Sequence, residues 1–151
     1  MFPFELKSTE MAKIVSIFAT KFFDKVPDES KEKECSKFKD LRKTNSELQW
    51  YIIEACELWY MWYESDGINY LKNFRPTDKL TRAEVATIFS RIIWWNTYAW
   101  DSKHWYEWHL NAMNEAGIIN DVTEPNSVEI RWNVFLMLNR VLWQDVTEDD
   151  L

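Results

Sequence analysis

The residues best suited to ion-pair chemistry lie in the stretch Leu-Thr-Arg-Ala-Glu at 80–84. Thr81 and Glu84 have the spacing of a capping box, in which each side chain binds the backbone N–H of the other and begins a helix. Arg82 therefore falls in the first helical turn, where a cation opposes the helix dipole. Helix stability gives little reason for this arginine, whose planar guanidinium suits a carboxylate.

The residues around this stretch predict the element that positions it. Pro76 and Asp78 suit a non-helical approach to a helix start. After the cap, five apolar residues follow at i, i+3, i+4, i+7 and i+8, the pattern of a helix buried on one face. They are Val85, Ile88, Phe89, Ile92 and Ile93. The stretch is therefore predicted to be a loop, a cap and an amphipathic helix.

The same apolar stripe recurs twice in the chain. Adding 49 to each position gives Val134, Met137, Leu138, Val141 and Leu142, and subtracting 74 gives Met11, Ile14, Val15, Phe18 and Ala19. A second helix type recurs at an offset of 58, between residues 48–61 and 106–119. Repetition at fixed offsets is typical of repeat architectures.

These patterns predict an all-α fold. Five helices are expected, and no segment has the convincing alternation of a strand. The stretch 25–45 is rich in Lys, Asp, Glu and Ser and is predicted to be a polar surface linker. The helices are expected at about 8–24, 46–60, 80–95, 103–117 and 128–143.

Composition excludes several classes of protein. A chain of 151 residues is long enough for one domain with a core, and 46% hydrophobic with 17% aromatic residues argues against disorder. The net charge of −7 argues against binding to nucleic acid or anionic lipid. No apolar run approaches the ~20 residues of a membrane span. The charged N-terminus does not resemble a signal peptide, so the chain is either cytoplasmic or an internal piece of an exported protein.

No residue cluster has the spacing of a catalytic or metal site. His104 and His109 are five positions apart and fall on different helix faces, so we expect ordinary surface or half-buried histidines. Glu54 and Glu57 are interpreted as a solvated helix face. No nucleophile elbow, Walker loop or dinucleotide glycine pattern occurs. The sequence therefore predicts no metal, no cofactor and no enzyme activity.

The two cysteines leave two alternatives open. Cys35 and Cys56 form one disulfide or are both free. A structural disulfide between the linker and the second helix fits an exported domain, and their Cα atoms should then lie within roughly 7 Å.

Short motifs surround Arg82 and its counterpart at an offset of 49, Arg131. The first set comprises FKDL (38–41), FRP (74–76), LTRAE (80–84) and SRI (90–92), and the second NEAGII (114–119), EIRWN (129–133) and LNRV (138–141).

This combination resembles the repeats of the S-layer homology (SLH) domain. The two sets match a second and a third repeat, and STEMAKIVSIFA (8–19) resembles the closing helix of a first repeat whose start is missing. The resemblance divides the chain into a partial first repeat at 1–25, a second repeat with the polar linker at 26–95, and a third repeat with an acidic tail at 96–151.

The resemblance implies an architecture and a function. Three repeats form a pseudo-threefold helical bundle that binds an acidic, often pyruvylated, cell-wall polysaccharide and holds an exported bacterial protein at the cell surface. The expected localisation is therefore the cell surface, with the wall polysaccharide and other surface-layer proteins as partners. The ligand-binding residues implied are Arg82, Arg131, Thr81, Glu84 and Asp78. Ser8 occupies the corresponding place in the first repeat, which makes a third equivalent site doubtful.

Two further functions stay open. A helical protein–protein interaction domain of a surface protein would keep the fold without glycan binding, and the incomplete motif in two of three repeats favours it. A cell-wall hydrolase would need a catalytic domain outside these residues, because the chain has no evident acid/base pair.

The chain contains ten Trp and only two Gly, far below the usual ~7% glycine. In the repeat alignment Trp59 stands opposite Gly117, which is expected to end its helix in the left-handed conformation. Some bacteria read the UGA codon as glycine. We hypothesise that several Trp here stand for Gly; the alternative is that they are genuine and form aromatic packing or sugar-stacking surfaces.

Overall fold

The computed structural model describes residues 5–61, 73–94 and 106–143, without the side chain of Trp143. The predicted all-α class is confirmed. These residues contain six helices, and their only β pairing consists of isolated bridges, from Glu5 to Ile130 and from Thr81 to Val128. The helices are α1 (Ser8–Phe22), α2 (Glu32–Cys35), α3 (Ser46–Glu57), α4 (Arg82–Trp94), α5 (Glu107–Glu115) and α6 (Arg131–Trp143).

The five longer helices agree with the five predicted from periodicity. The region 25–45 differs from the prediction, because the linker contains α2 and two 3-10 turns, at Glu29–Lys31 and Leu41–Lys43. The side chain of Asp28 accepts a bond from the backbone N–H of Ser30 and begins the first of these turns. Local capping therefore orders a segment whose composition alone indicates a loop.

The chain divides into two compact units. The N-terminal unit comprises residues 7–78, and the C-terminal unit comprises residues 79–151 together with 1–6. In the N-terminal unit α1 packs against α3, and in the C-terminal unit α4 packs against α5. These boundaries differ from the predicted repeats, because each unit joins the closing helix of one predicted repeat with the opening helix of the next.

The predicted apolar stripe forms much of the core. All five stripe positions of α4 are buried, as are four of five in α1 and three of five in α6. The exceptions are Ile14 and Leu138, which are half-buried, and Leu142, which is exposed. Burial on one face agrees with the helical period of the pattern.

Helices α3 and α5 end in the same way. The N–H of Trp59 donates to the carbonyl of Cys56, and the N–H of Tyr60 to that of Ala55. Gly117 and Ile118 make the equivalent bonds to Asn114 and Met113 at the end of α5. Both pairs of bonds define a Schellman motif, which requires a left-handed residue. Trp59 has φ 71° and Gly117 has φ 74°, so the predicted left-handed conformation of Trp59 is confirmed.

Arg75 and Glu124 are left-handed residues in equivalent turns, one in each unit. Arg75 has φ 57°, and its carbonyl accepts from the N–H of Asp78; Glu124 has φ 51°, and its carbonyl accepts from the N–H of Ser127. The two turns are 49 positions apart, the offset that relates Arg82 to Arg131 in the sequence.

Each of these turns caps a helix of its own unit. The first two N–H groups of α1, from Ser8 and Thr9, donate to the carbonyls of Asp78 and Pro76. The first two N–H groups of α4 donate in the same way, from Arg82 to Ser127 and from Ala83 to Pro125. Backbone carbonyls thus satisfy donors that a helix start leaves without an intrahelical partner.

Three segments of the C-terminal unit meet in a ring of backbone hydrogen bonds. The N–H of Leu6 donates to Glu129, that of Glu129 to Leu80, and that of Leu80 to Leu6, at 2.7–3.0 Å. The three residues are buried. They are separated by the same sequence offsets, 74 and 49, that relate the three apolar stripes.

Candidate functional site

The predicted capping box is present at the start of α4. The N–H of Thr81 donates to Oε1 of Glu84 at 3.1 Å, and the N–H of Glu84 donates to Oγ1 of Thr81 at 3.2 Å. Both residues are half-buried. Two side chains predicted to bind ligand are therefore engaged in holding the helix start, which fixes the position of Arg82 between them.

The Arg82 side chain is engaged by the loop that precedes α6. Nη1 donates to the carbonyl of Thr123 at 3.0 Å and lies 3.5 Å from Oδ2 of Asp121. Nε lies 3.5 Å from Oε2 of Glu129. Only 16% of the side chain is exposed. The interpretation that folding gives little reason for Arg82 is therefore wrong, because a loop distant in the sequence supplies its partners.

Glu129 is the buried acid of this cluster and is 1% exposed. Its Oε1 accepts from the N–H of Ile130 at 3.1 Å and from Nδ2 of Asn133 at 2.7 Å, and Oε2 faces Arg82. A buried carboxylate is costly unless it is paired, so the guanidinium compensates its charge. Glu129 is not among the predicted ligand residues, although it is an acid where the aligned positions hold Leu6 and Leu80.

Asp121 is the exposed acid of the same cluster, with 63% of its side chain accessible. Its Oδ1 accepts from the N–H and the hydroxyl of Thr123. These bonds, chiefly that of the hydroxyl, lower the pKa of Asp121, and the charge of Arg82 adds a smaller effect. Arg82 therefore lies between a buried carboxylate and an exposed, ionised one.

The other two predicted ligand residues are Arg131 and Asp78. Arg131 is the first residue of α6 and is half-buried. Asp78 belongs to the N-terminal unit, where its carbonyl accepts from the N–H of Ser8 at 2.9 Å and from its hydroxyl at 3.4 Å. The structure thus brings Thr81, Arg82 and Glu84 together and gives Asp78 a backbone role in capping α1.

A second acidic side chain holds a loop in the N-terminal unit. Both oxygens of Asp40 accept backbone N–H groups, from Phe74 and Arg75, each at 2.8 Å. The Phe38 ring packs edge-on against Phe74, with centroids 5.5 Å apart. In the sequence Asp40 is only one residue of the FKDL motif; in the structure it fixes the Phe-Arg-Pro loop.

Three titratable residues interpreted as solvated or half-exposed are buried, which corrects that interpretation. His109 is 1% exposed, and its Nδ1 lies 2.9 Å from Oγ of Ser90. Burial, with a smaller effect from Arg91, lowers the pKa of His109 to about 4. Glu54 and Glu57 are also buried, and burial raises the pKa of both carboxyls. Helix packing overrides the exposure that their polarity suggests.

No metal centre is evident in the described ranges. No three residues among their His, Cys, Asp and Glu are grouped so that they could hold a metal ion. His104 lies outside the residues that the structure describes.

The two cysteines form a disulfide within the N-terminal unit. Cys35 of α2 bonds Cys56 of α3, with Cα atoms 5.7 Å apart, inside the limit of roughly 7 Å set above. Both residues are buried. Of the two alternatives left by the sequence, the structure contains the bonded one, which ties the linker to α3.

Comparisons with known proteins provide no relative. No protein-family model matches the chain, and no curated protein or solved structure is significantly similar to it. Within the ranges that the structure describes, none of the helices combines the length and the apolar character needed to cross a bilayer.

Proposed function

We propose that this protein is a non-enzymatic anchoring module that binds an acidic cell-wall polysaccharide, such as a pyruvylated one, at the bacterial cell surface. The observation that carries the proposal is the setting of Arg82, an arginine held at a helix start with one buried and one exposed carboxylate. The proposed bundle is a pseudo-threefold arrangement of SLH repeats, about two and a half in number.

The paired local features support the repeat arrangement. Trp59 and Gly117 end their helices alike, and Arg75 and Glu124 occupy equivalent turns. The ring of hydrogen bonds among Leu6, Leu80 and Glu129 joins three positions that the sequence offsets relate. A cyclic arrangement of three equivalent backbone segments is what a pseudo-threefold axis requires.

The charges around Arg82 support a binding mechanism in which a carboxylate of the ligand replaces that of Asp121. Glu129 is buried and hydrogen-bonded through Oε1, and its Oε2 forms an ion pair with Nε of Arg82 at 3.5 Å. Asp121 is largely exposed and lies 3.5 Å from Nη1, so water and ligands reach it. A carboxylate of the polysaccharide would take the place of Asp121 and form a planar ion pair with Arg82.

A protein–protein interaction domain without glycan binding is the second candidate. The observation that favours it is that Asp121, Thr123 and Glu129 already engage the guanidinium of Arg82. An arginine in this state serves to hold the loop against α4, and the fold would then display another surface to a protein partner.

Sedimentation with purified cell walls separates the two candidates. The protein is mixed with walls that carry their acidic polysaccharide, and with walls from which the acidic substituents have been removed by mild acid. The anchoring module binds the first and loses at least ten-fold affinity for the second. Equal binding to both, or to neither, contradicts recognition of an acidic glycan.

A matched pair of variants links binding to the site. Arg82→Lys keeps the charge but lacks the planar guanidinium, which can donate two parallel hydrogen bonds to a carboxylate, so binding should weaken several-fold. Lys79→Ala removes an exposed cation that pairs with Glu5 in the same unit, and it should leave binding unchanged. Equal loss in both variants would indicate attraction by net charge rather than a site at Arg82.

A further inference from the structure

The disulfide holds a segment of the N-terminal unit that has few other contacts to keep it in place. This segment, residues 28–37, contains the first 3-10 turn and α2, packs on α3, and is called the strap below. Within the strap, all of which the structure describes, Cys35 is the only buried side chain, and it is bonded to Cys56 of α3. The ammonium of Lys31 lies 4.8 Å from the ring centroid of Trp59, just after α3. Burial of apolar side chains normally holds one element on another, and the strap provides very little of it.

The strap covers an acidic side chain of α3. Glu57 is only 9% exposed, and its carbonyl accepts from the N–H of Asp28 at 3.0 Å. Burial raises the pKa of the Glu57 carboxyl, and the carboxylates of Glu32, Glu54, Glu29 and Asp28 raise it further. Three of these four acids belong to the strap itself. Closing the strap over an ionised Glu57 is therefore electrostatically unfavourable.

Lysines on the elements that pack on α3 form ion pairs with other acids. On the strap, the ammonium of Lys31 lies 3.5 Å from Oε2 of Glu34. On α1, Lys13 pairs at 3.0 Å with Glu47, which belongs to the first turn of α3. The charges that act most on the carboxyl at the last turn of α3 are all acidic. The covalent bond therefore opposes a repulsion between the strap and the helix beneath it.

Helices α1 and α3 are held together in a different way. Met11 and Val15 of α1 and Ile52 and Ala55 of α3 have no accessible surface, and the two helices pack on each other. This apolar contact does not involve the strap. Loss of the strap should therefore be a local opening rather than unfolding of the unit.

We propose that the bond between Cys35 and Cys56 is a redox switch, which retains the strap on α3 when oxidised and releases it when reduced, while α1 and α3 stay packed. A dithiol supplies the reducing equivalents. Its thiolate attacks one sulfur and breaks the S–S bond, and its second thiol then displaces the mixed disulfide. The two cysteines gain two electrons and two protons, and the dithiol becomes a disulfide. A reducing compartment therefore opens the strap, and an oxidising one closes it.

The acid beneath the strap adds a dependence on pH to the reduced state. The Glu57 carboxyl binds its proton more tightly under the closed strap than in the open state, because the closed strap buries it and places acids beside it. A fall in pH through this range therefore favours the closed state. The reduced strap should be open at neutral pH and close again in mild acid.

Amide hydrogen exchange of the whole chain locates the release. Protection factors, corrected for the intrinsic exchange rate at each pH, are compared between the oxidised chain and the chain reduced by a water-soluble phosphine. At pH 7 we expect protection in the strap to fall about ten-fold on reduction, and protection in α1 and α3 to change by less than about two-fold. At pH 5 the reduced strap should regain part of its protection.

Two variants of α3 test the role of the covered acid. Glu57→Gln removes the buried charge, so the reduced strap should keep more of its protection at pH 7 and lose its dependence on pH. Glu47→Gln is the matched control, because it removes an exposed carboxylate at the other end of the same helix and should behave like the parent. Equal behaviour of the two variants would overturn the role of Glu57.

Two other outcomes would overturn the switch itself. Unchanged protection in the strap after reduction would show that contacts other than the bond hold it. Loss of protection in α1 and α3 as large as that in the strap would show that the bond holds the whole unit together. The measurements are made without glycan, so a failure of glycan binding leaves them unaffected.

Discussion

Trp59 and Gly117 have nearly the same left-handed backbone, with φ of 71° and 74°. Each residue ends a helix, and the same pair of backbone hydrogen bonds closes both helix ends. Glycine adopts this conformation freely, whereas a residue with a Cβ pays about 1–2 kcal/mol for it. The Trp59 ring recovers part of that cost, because the ammonium of Lys31 lies 4.8 Å from its centroid.

The strain at Trp59 can be measured by comparing two substitutions. Trp59→Ala and Trp59→Gly both remove the ring and its contact with Lys31, but only glycine relieves the backbone. We expect the glycine variant to have a free energy of unfolding about 1 kcal/mol above that of the alanine variant in urea denaturation. Gly117→Ala should cost a similar amount. If the alanine variant is as stable as the glycine variant, or more stable, the backbone of Trp59 is not strained, and the hypothesis that Trp stands for Gly is weakened.

The features near α4 were predictable because they depend on nearby residues. The capping box of Thr81 and Glu84 and the apolar stripe after it involve positions at most twelve residues apart. Repetition extended the prediction to α1 and α6, and the alignment of Trp59 with Gly117 located a left-handed residue. Local spacing and repetition thus determined the helices and their ends.

The environment of Arg82 was not predictable from local pattern. Its partner Thr123 is 41 residues away in the sequence, and the loop 121–129 reaches it only in the folded chain. For the same reason Glu54, Glu57 and His109 look like surface residues in the sequence and are buried by neighbouring helices. The polarity of a side chain predicts its exposure only where no other helix packs on it. The sequence of one helix does not show which of its faces another helix covers.

The pairing of Arg82 with Glu129 predicts an effect on stability. Arg82→Ala leaves a carboxylate that is 1% exposed without its cation, so we expect a loss of about 2–3 kcal/mol in the free energy of unfolding. Glu129→Gln should restore part of that loss in the double variant, because the buried charge is then gone. Lys79→Ala is the control, since its exposed pair with Glu5 should contribute less than 1 kcal/mol. Additive effects of the two substitutions in the double-mutant cycle would argue against the pair.

Burial of His109 predicts a dependence of stability on pH. Its folded pKa of about 4 is below the ordinary 6.5, so the folded state holds the neutral ring while the unfolded state takes up a proton as the pH falls. The contribution of the neutral ring to the free energy of unfolding is complete above pH 6.5, and it falls by about 3 kcal/mol towards pH 4. His109→Gln removes this titration. The difference between parent and variant in urea denaturation should change by that amount between pH 7 and pH 4, and parallel pH profiles would contradict a buried neutral histidine.

The relation between Asp121 and Arg82 gives the sharpest test of the proposed site. If an acid of the glycan takes the place of Asp121, Asp121→Asn removes the competing charge, and the affinity for acidic wall polysaccharide should rise about five-fold, or roughly 1 kcal/mol. Stability should change little, because the Asp121 side chain is largely exposed. Glu115→Gln is the matched control, since it removes one exposed negative charge from the same unit and should leave affinity nearly unchanged. Titration calorimetry at two salt concentrations measures both variants, and added salt should reduce the difference between parent and Asp121→Asn. An affinity that falls or stays constant in Asp121→Asn, with firm binding by the parent, would show that the ligand does not bind through Arg82.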